Sequence, residues 1–219
     1  GGYKIISFQN PSKSIFNFLF LLLLSSCKYT VERDTEFFCQ KSNLDCVKEN
    51  IIVTFTTSKG DFDVELFGSS NPLTVANFKK NIYENIYENS NFYKLIKYPN
   101  TKIIHGGIRR KYYKNSINNT IIKAIPLEIK LKGKEEPVYK KEISNPLEFK
   151  FLKNTFQTGS ISMVKVSKTK SSSTEFFIST RKSAVLDGRY SVFGKVVKGF
   201  EVLESLDNND YLLRIEINN

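Results

Sequence analysis

From residue 51 onward, apolar and polar positions follow one another in short runs, a pattern typical of a β-rich domain. Residues 51–57 (Ile-Ile-Val-Thr-Phe-Thr-Thr) are β-branched and apolar, and residues 61–67 alternate polar with apolar, so each reads as a strand with a buried face. Between them Ser58, Lys59, Gly60 and Asp61 make a turn in which Gly60 is free to take φ > 0, which predicts a hairpin. Asn71 followed by Pro72 predicts a helix start, with Asn71 as the cap and Pro72 in the first turn. Val75, Phe78, Ile82 and Tyr83 are placed on its apolar face. A strand over 91–96, a loop over 97–102 and a short strand over 103–107 come next, the last ending in His105, Gly106 and Gly107. A Lys- and Glu-rich excursion runs from about 125 to 150. Beyond it the pattern predicts a strand over 159–165, a Ser/Lys loop over 168–174, and strands over 174–179 and 191–197. A short helix over 199–206, with Phe200, Leu203 and Leu206 on its apolar side, and a final strand over 211–217 complete the chain. About eight strands and two separated helices describe a mainly β fold: a closed eight-stranded antiparallel barrel capped by the helices. There is no internal repeat and no domain boundary after residue 50.

The first 27 residues follow a different rule. Lys4 and Lys13 precede an uninterrupted run from Ile15 to Leu24, Ile-Phe-Asn-Phe-Leu-Phe-Leu-Leu-Leu-Leu, with no acid before Cys27. Such a run is too short for a membrane-spanning helix, which needs about 20 residues, and fits the apolar region of a signal peptide, roughly 7–15 residues. Leu24-Ser25-Ser26-Cys27 resembles the bacterial lipobox, an aliphatic residue and two small ones before the cysteine that receives lipid. The resemblance implies residues 1–26 as a lipoprotein signal peptide and Cys27 as the acylated N-terminus, anchored outside the cytoplasm by more than one acyl chain. An uncleaved anchor and a core helix are the other readings of the run. Residues 27–50 read as a polar tether before a domain over 51–219. Cys39 and Cys46 remain as an even pair. In an oxidising compartment they are either disulfide-bonded or two free thiols.

Composition narrows the functional classes. The chain has 219 residues, is 40% hydrophobic and carries 18 Phe and 11 Tyr, enough for a core without a metal or disulfide staple. Its formal charge is +11, falling to +9 without Lys4 and Lys13. The lysines are scattered, with no Arg-rich arm and no aromatic-basic RNA motif, so the charge does not point to nucleic acid. His105 is the single histidine, and the remaining cysteines cannot complete a tetrahedral site with it, so neither a metal nor a cofactor is expected.

The stretch from Glu175 to Gly194 is the most informative. Phe176-Phe177-Ile178, Leu186-Asp187-Gly188 and Val192-Phe193-Gly194 resemble the C-terminal core of the cyclophilins, the peptidyl-prolyl isomerase family. Upstream, 57–60, 64–67, 72–78, 92–96, 105–107 and 159–163 match in order, so the resemblance covers about residues 51–217. The Pro126-Leu127-Glu128 excursion is similar to that of the bacterial branch. The resemblance implies rotation about X–Pro bonds, a monomer, and Pro-containing or unfolded polypeptides as partners. It implies Phe177 as a wall of the proline pocket and Lys94 at the position of the family's catalytic arginine. Ile103, His105, Met163, Glu175, Leu186 and Tyr190 are implied as substrate-contacting positions.

Several of these positions depart from the family pattern. Lys94 keeps a charge and loses the planar fork of donors. His105 and Glu175 replace glutamines, Val185 a tryptophan and Tyr190 a histidine. Glu175 faces Lys94 as an ion pair, or the two are separately solvated. His105 is a hydrogen-bonded structural group or an acid/base. Tyr190 donates to a peptide carbonyl or fills the pocket, and Phe177 is core, wall or both. Two functions follow: an isomerase of reduced turnover acting on exported proteins, or an inactive module that grips peptides.

Overall fold

The computed structural model describes residues 34–98, 101–109 and 124–218. The apolar run over 15–24 and the lipobox-like 24–27 lie outside these residues, as does the Pro99-Asn100 turn. In chain order the elements are α1 (Asp34–Lys41), β1 (Ile51–Thr57), β2 (Gly60–Leu66), α2 (Pro72–Tyr83), β3 (Ser90–Asn91), β4 (Lys94–Tyr98), β5 (Thr101–Gly107), β6 (Ile125–Pro126), β7 (Glu128–Ile129), β8 (Val138–Tyr139), β9 (Ser160–Ser167), β10 (Lys170–Ser179), β11 (Val192–Lys198), α3 (Phe200–Ser205) and β12 (Tyr211–Ile217). Two short 3-10 turns, Pro146–Phe151 and Ala184–Leu186, flank the region of the candidate site.

One curled antiparallel sheet carries the fold, in the order β3-β12-β1-β2-β11-β9-β10-β5-β4, with β6 added on β10. The sheet is an open half-barrel rather than the closed eight-stranded ring expected. Its two ends, β3 and β4, are successive pieces of one extended segment. Ser90 and Asn91 pair with β12, Lys94 onward pairs with β5, and Phe92 and Tyr93 between them join neither ladder. The expected 97–102 loop is a continuation of this hairpin, since Lys97 stands opposite Lys102 and Tyr98 opposite Thr101.

The concave face is packed with aromatic rings. Phe55 stacks on Phe62 at 4.8 Å, and Phe78 lies 4.9 Å from Tyr87 and 5.2 Å from Phe193. α2 lays Val75, Phe78 and Ile82 into this core, where they are fully or nearly buried. Tyr83, expected on the same face, is 69% exposed with the Lys79 ammonium over its ring. Eight residues on from Val75, the helical turn has carried it past the apolar stripe. Gly106 is required where β5 crosses β10, because a Cβ there would stand 2.8 Å from the Phe176 ring.

Two segments read as polar connections are built into the domain. β10 begins at Lys170, and Ser171, Ser172, Ser173 and Thr174 are buried. Apart from the Ser171 hydroxyl, which has no partner among the described residues, the polar groups of this run are met internally. The Ser173 carbonyl accepts from Asn77 and Asn81, the Ser172 hydroxyl accepts from the Glu175 amide, and the Thr174 hydroxyl donates to the Ile108 carbonyl. The stretch taken as a tether contains α1, with Thr35 and Cys39 buried, and the compact unit runs over Arg33–Asn219. Cys39 and Cys46 are joined in a disulfide with a Cα–Cα distance of 5.8 Å.

The expected Asn71 cap on α2 is replaced. Asn71 turns away to donate to the Glu128 carbonyl and to accept from Asn154. The Glu128 carboxylate, reaching in from the excursion, takes the Leu73 and Thr74 amides at 3.2 and 2.8 Å, the Thr74 hydroxyl at 2.7 Å and the Tyr139 hydroxyl at 2.8 Å. It does for the orphan amides of the first turn what a capping side chain does, with a negative charge at the positive end of the helix. Tyr139 in turn lies 2.9 Å from the Thr35 hydroxyl, so α1, the excursion and α2 share one polar network.

Candidate active site

The register of three strands assembles the site. Lys94 on the edge strand β4 stands opposite His105 on β5, and His105 stands opposite Phe177 on β10. Cross-strand partners point to the same face, so Lys94, His105 and Phe177 form one row on the convex face. Beyond Phe177 the row continues through Ser162 on β9 to Val192 on β11. The expected juxtaposition of Lys94 and Phe177 is thus present, with His105 between them.

Phe177 is the centre of a small apolar cluster separate from the main core, with Ile103, Phe156 and Val192 buried around it and Ile96, Val164, Leu186 and Tyr190 packed at its edge. Its ring stacks on His105 at 5.5 Å and lies nearly parallel to Phe156 at 5.6 Å, while Tyr190 meets it edge-on at 5.2 Å. Ile103, Leu186 and Tyr190 are therefore at the site as expected. Phe156 is held there by the Asp187 carboxylate, which accepts its amide at 2.7 Å. The Asp-Gly turn that marks the sequence thus fixes the rear wall of the pocket. Val185 is 68% exposed and lies outside the cluster.

Met163 is not in the site. It pairs with Phe176, is fully buried and belongs to the concave core. Side chains alternate across a strand, so Ser162, whose hydroxyl donates to the Ser191 carbonyl at 2.7 Å, takes the convex face in its place. Glu175 stands opposite Gly107, one row away from Lys94, and accepts from the Tyr93 hydroxyl at 3.4 Å. Among the described residues no ion pair joins Glu175 to Lys94.

Tyr93, Arg109, Phe156, Lys165 and Glu142 are site residues that sequence reasoning passed over. Tyr93 sits where the segment leaves both ladders. Its ring lies 5.9 Å from His105, and the Arg109 guanidinium rests 5.0 Å above it. Burial, then the Glu175 charge, push its hydroxyl far up, so it is a protonated donor. At the other end Lys165 lies 5.3 Å over the Tyr190 ring and pairs with Glu142 from the excursion. Its place directly after Met163 and Val164 was the one available signal.

His105 is neutral at physiological pH. Burial, then the Lys94 charge, lower its pKa from the ordinary 6.5 to about 4. Between these values the unfolded chain binds the proton and the folded one does not, so this part of the stability falls as pH drops from about 6.5 towards 4. The imidazole resonances of the folded protein are expected to titrate with a midpoint near 4. A midpoint above 6 would contradict a half-buried ring stacked on Phe177 beside a cation. Among the described residues no group of three or more His, Cys, Asp or Glu is placed to hold a metal.

The curled antiparallel sheet thus carries an aromatic cluster around Phe177, with Lys94, Arg109 and Lys165 near its rim, and comparison with known proteins gives the family. Residues 52–215 match the family model of the cyclophilin type peptidyl-prolyl cis-trans isomerase/CLD. The chain belongs to the cyclophilin-type peptidyl-prolyl cis-trans isomerase family. It is 31% identical over 159 residues to peptidyl-prolyl cis-trans isomerase A of Dickeya dadantii, covering 70% of each chain. It is 29% identical over 164 residues to a peptidyl-prolyl cis-trans isomerase of Acinetobacter baylyi, covering 73% of each. A putative thylakoid lumen peptidyl-prolyl cis-trans isomerase of Synechocystis sp. is 26% identical over 98% of this chain, which spans 57% of that relative's length. In fold it is similar to a Cryptosporidium parvum cyclophilin, with a TM-score of 0.55 at 24% identity over 78% of this chain and 99% of that one. A Hirschia baltica cyclophilin gives 0.56 at 18% identity over 85% and 81%.

Proposed function

We propose that the groove isomerises X–Pro bonds of exported polypeptides, with Phe177 and its neighbours holding the proline ring and Lys94 stabilising the twisted amide. The observation that carries this is the Lys94–His105–Phe177 row across β4, β5 and β10. Rotation breaks amide resonance against a barrier of about 18–20 kcal/mol, and the proline nitrogen regains its lone pair as the bond twists. A donor aimed at that nitrogen and not at the planar amide lowers the barrier. No bond is cleaved, so no nucleophile is required, and a neutral His105 serves as a stacked, polar part of the floor.

Turnover is expected to be below that of an arginine-bearing site, because an ammonium supplies a point charge where a guanidinium supplies a fork of donors. Lys94→Ala is expected to lower kcat roughly tenfold in a protease-free isomerisation assay, with a smaller rise in KM. An unchanged kcat would remove Lys94 from the chemistry.

The extracytoplasmic location rests on the lipobox-like segment ending at Cys27, and two features favour it. The Cys39–Cys46 disulfide is the chemistry of an oxidising compartment. The Synechocystis relative carries a lumen in its name. Among the described residues no helix is long and apolar enough to cross a membrane. Mass spectrometry of the membrane-extracted protein is expected to find the acylated Cys27 as the N-terminal residue.

The second reading, a peptide-binding module without useful catalysis, is favoured by one observation. Phe177 is only 3% exposed beneath His105 and Tyr190, so a proline must displace or share their contacts. Peptide binding with interconversion rates equal to buffer would establish that reading.

A further inference from the structure

The charges around the groove are unevenly matched. Each acid there is engaged by the protein itself. Glu175 accepts from the Tyr93 hydroxyl, Glu142 pairs with Lys165, and Asp187 accepts the Phe156 amide. Lys94 is exposed at the sheet edge, and among the described residues it enters no ion pair. Its row partner His105 carries no charge at neutral pH, so it neither shares nor offsets the ammonium. The groove therefore presents an unneutralised cation beside an aromatic wall.

From this arrangement we infer that the site prefers polypeptides with an aspartate or glutamate within about three residues of the proline, and that Lys94 is the residue that sets this preference. This rests on the groove being the peptide site proposed above. Lys94 and Phe177 are separated by one intervening strand. At about 4.8 Å per strand their backbones are roughly 10 Å apart, and an extended peptide advances about 3.3 Å per residue. A proline on Phe177 thus brings a side chain two or three positions away to the Lys94 ammonium. Opposite charge favours binding there and like charge opposes it, and both effects fade with salt, since the screening length falls from about 30 Å at 0.01 M to about 3 Å at 1 M. An acidic side chain that pairs with Lys94 also competes with the twisting nitrogen for its protons. Acidic substrates should therefore show a lower KM without a higher kcat.

The test uses the chain from residue 28 onward and one X–Pro peptide carrying Glu, Gln or Lys at the second position on both sides of the bond. Affinity by fluorescence anisotropy and isomerisation by a protease-free assay are measured at about 0.02 M and about 1 M salt. The Glu peptide is expected to bind roughly five- to tenfold tighter than the Gln peptide at low salt, and the Lys peptide weaker still. The three should converge within about twofold at high salt and in Lys94→Gln, and Lys94→Glu should reverse the order. Equal affinities at low salt, or an order that survives Lys94→Gln, would overturn the preference and leave the isomerase reading standing. The expected order without isomerisation of any peptide would overturn the isomerase reading and keep the preference. Failure of all three peptides to bind would overturn both.

Discussion

Glu128→Ala is expected to destabilise the domain by about 4 kcal/mol, a large fraction of the roughly 5–15 kcal/mol that holds an ordinary domain folded. The residue is fully buried, and its carboxylate takes the Leu73 and Thr74 amides and the Thr74 and Tyr139 hydroxyls. Truncation orphans the Leu73 and Thr74 amides and the Thr74 hydroxyl, at about 1–3 kcal/mol each when buried, while the Tyr139 hydroxyl keeps Thr35 as a partner. Against this stands relief from burying the carboxyl itself: burial pushes its pKa up, and the hydrogen bonds from Thr74, Tyr139 and Leu73 only partly pull it back. The net effect is therefore smaller than the plain sum. Because the folded pKa is raised above the unfolded one, this group's contribution is greatest at low pH and declines as pH rises through the folded value. Glu128→Gln mimics the protonated carboxyl in shape and keeps an acceptor, so it should cost only about 1–2 kcal/mol. Urea denaturation measures both. An Ala variant within about 1 kcal/mol of the parent would contradict the capping role.

Phe177→Ala is the second large effect, and it divides between fold and function. The ring is buried and touches His105, Phe156 and Tyr190 at 5.2–5.6 Å. Its removal leaves a cavity and three unmatched rings, which costs about 3–4 kcal/mol of stability. For the reaction it removes the apolar surface under the proline, about 2–3 kcal/mol of contact, or roughly 30- to 160-fold in kcat/KM. Phe177→Leu preserves most of the volume and should fold with a loss nearer tenfold. A folded Phe177→Ala protein with unaltered kcat/KM would show that the ring belongs only to the core.

The hydrophobic pattern made the fold readable where side-chain period and backbone chemistry agree. Ile51–Thr57 and Gly60–Leu66 pair around Gly60 as the alternation implies, and the His105-Gly106-Gly107 end of β5 is shaped by the Phe176 ring beneath it. Reading failed where distant partners decide. Nothing near Asn71 says that a glutamate over 50 residues away takes over the cap, or that Asn71 then turns to the Glu128 carbonyl. Ser171 to Thr174 look solvated until Asn77 and Asn81 are seen to satisfy Ser173. α1 looks like tether until the Thr35 contact with Tyr139 is known. In the site, Lys94, His105 and Phe177 were legible from matched motifs, and strand parity placed them together. The same parity excludes Met163, because the residue next to a groove-facing Ser162 must face the core. Phe156 was invisible because a loop amide and the Asp187 carboxylate position it, and neither leaves a periodic trace.

The central claim is that this groove accelerates rotation about an X–Pro bond. Exchange NMR on a short X–Pro peptide tests it directly, with the protein at a small fraction of the peptide concentration. Uncatalysed interconversion takes tens of seconds or longer, so no cis–trans exchange peaks arise within a one-second mixing time in buffer. The account predicts such peaks when the protein is present, growing with its concentration and reduced in Lys94→Ala. Their absence for a peptide shown by chemical-shift changes to occupy the Phe177 groove would contradict it.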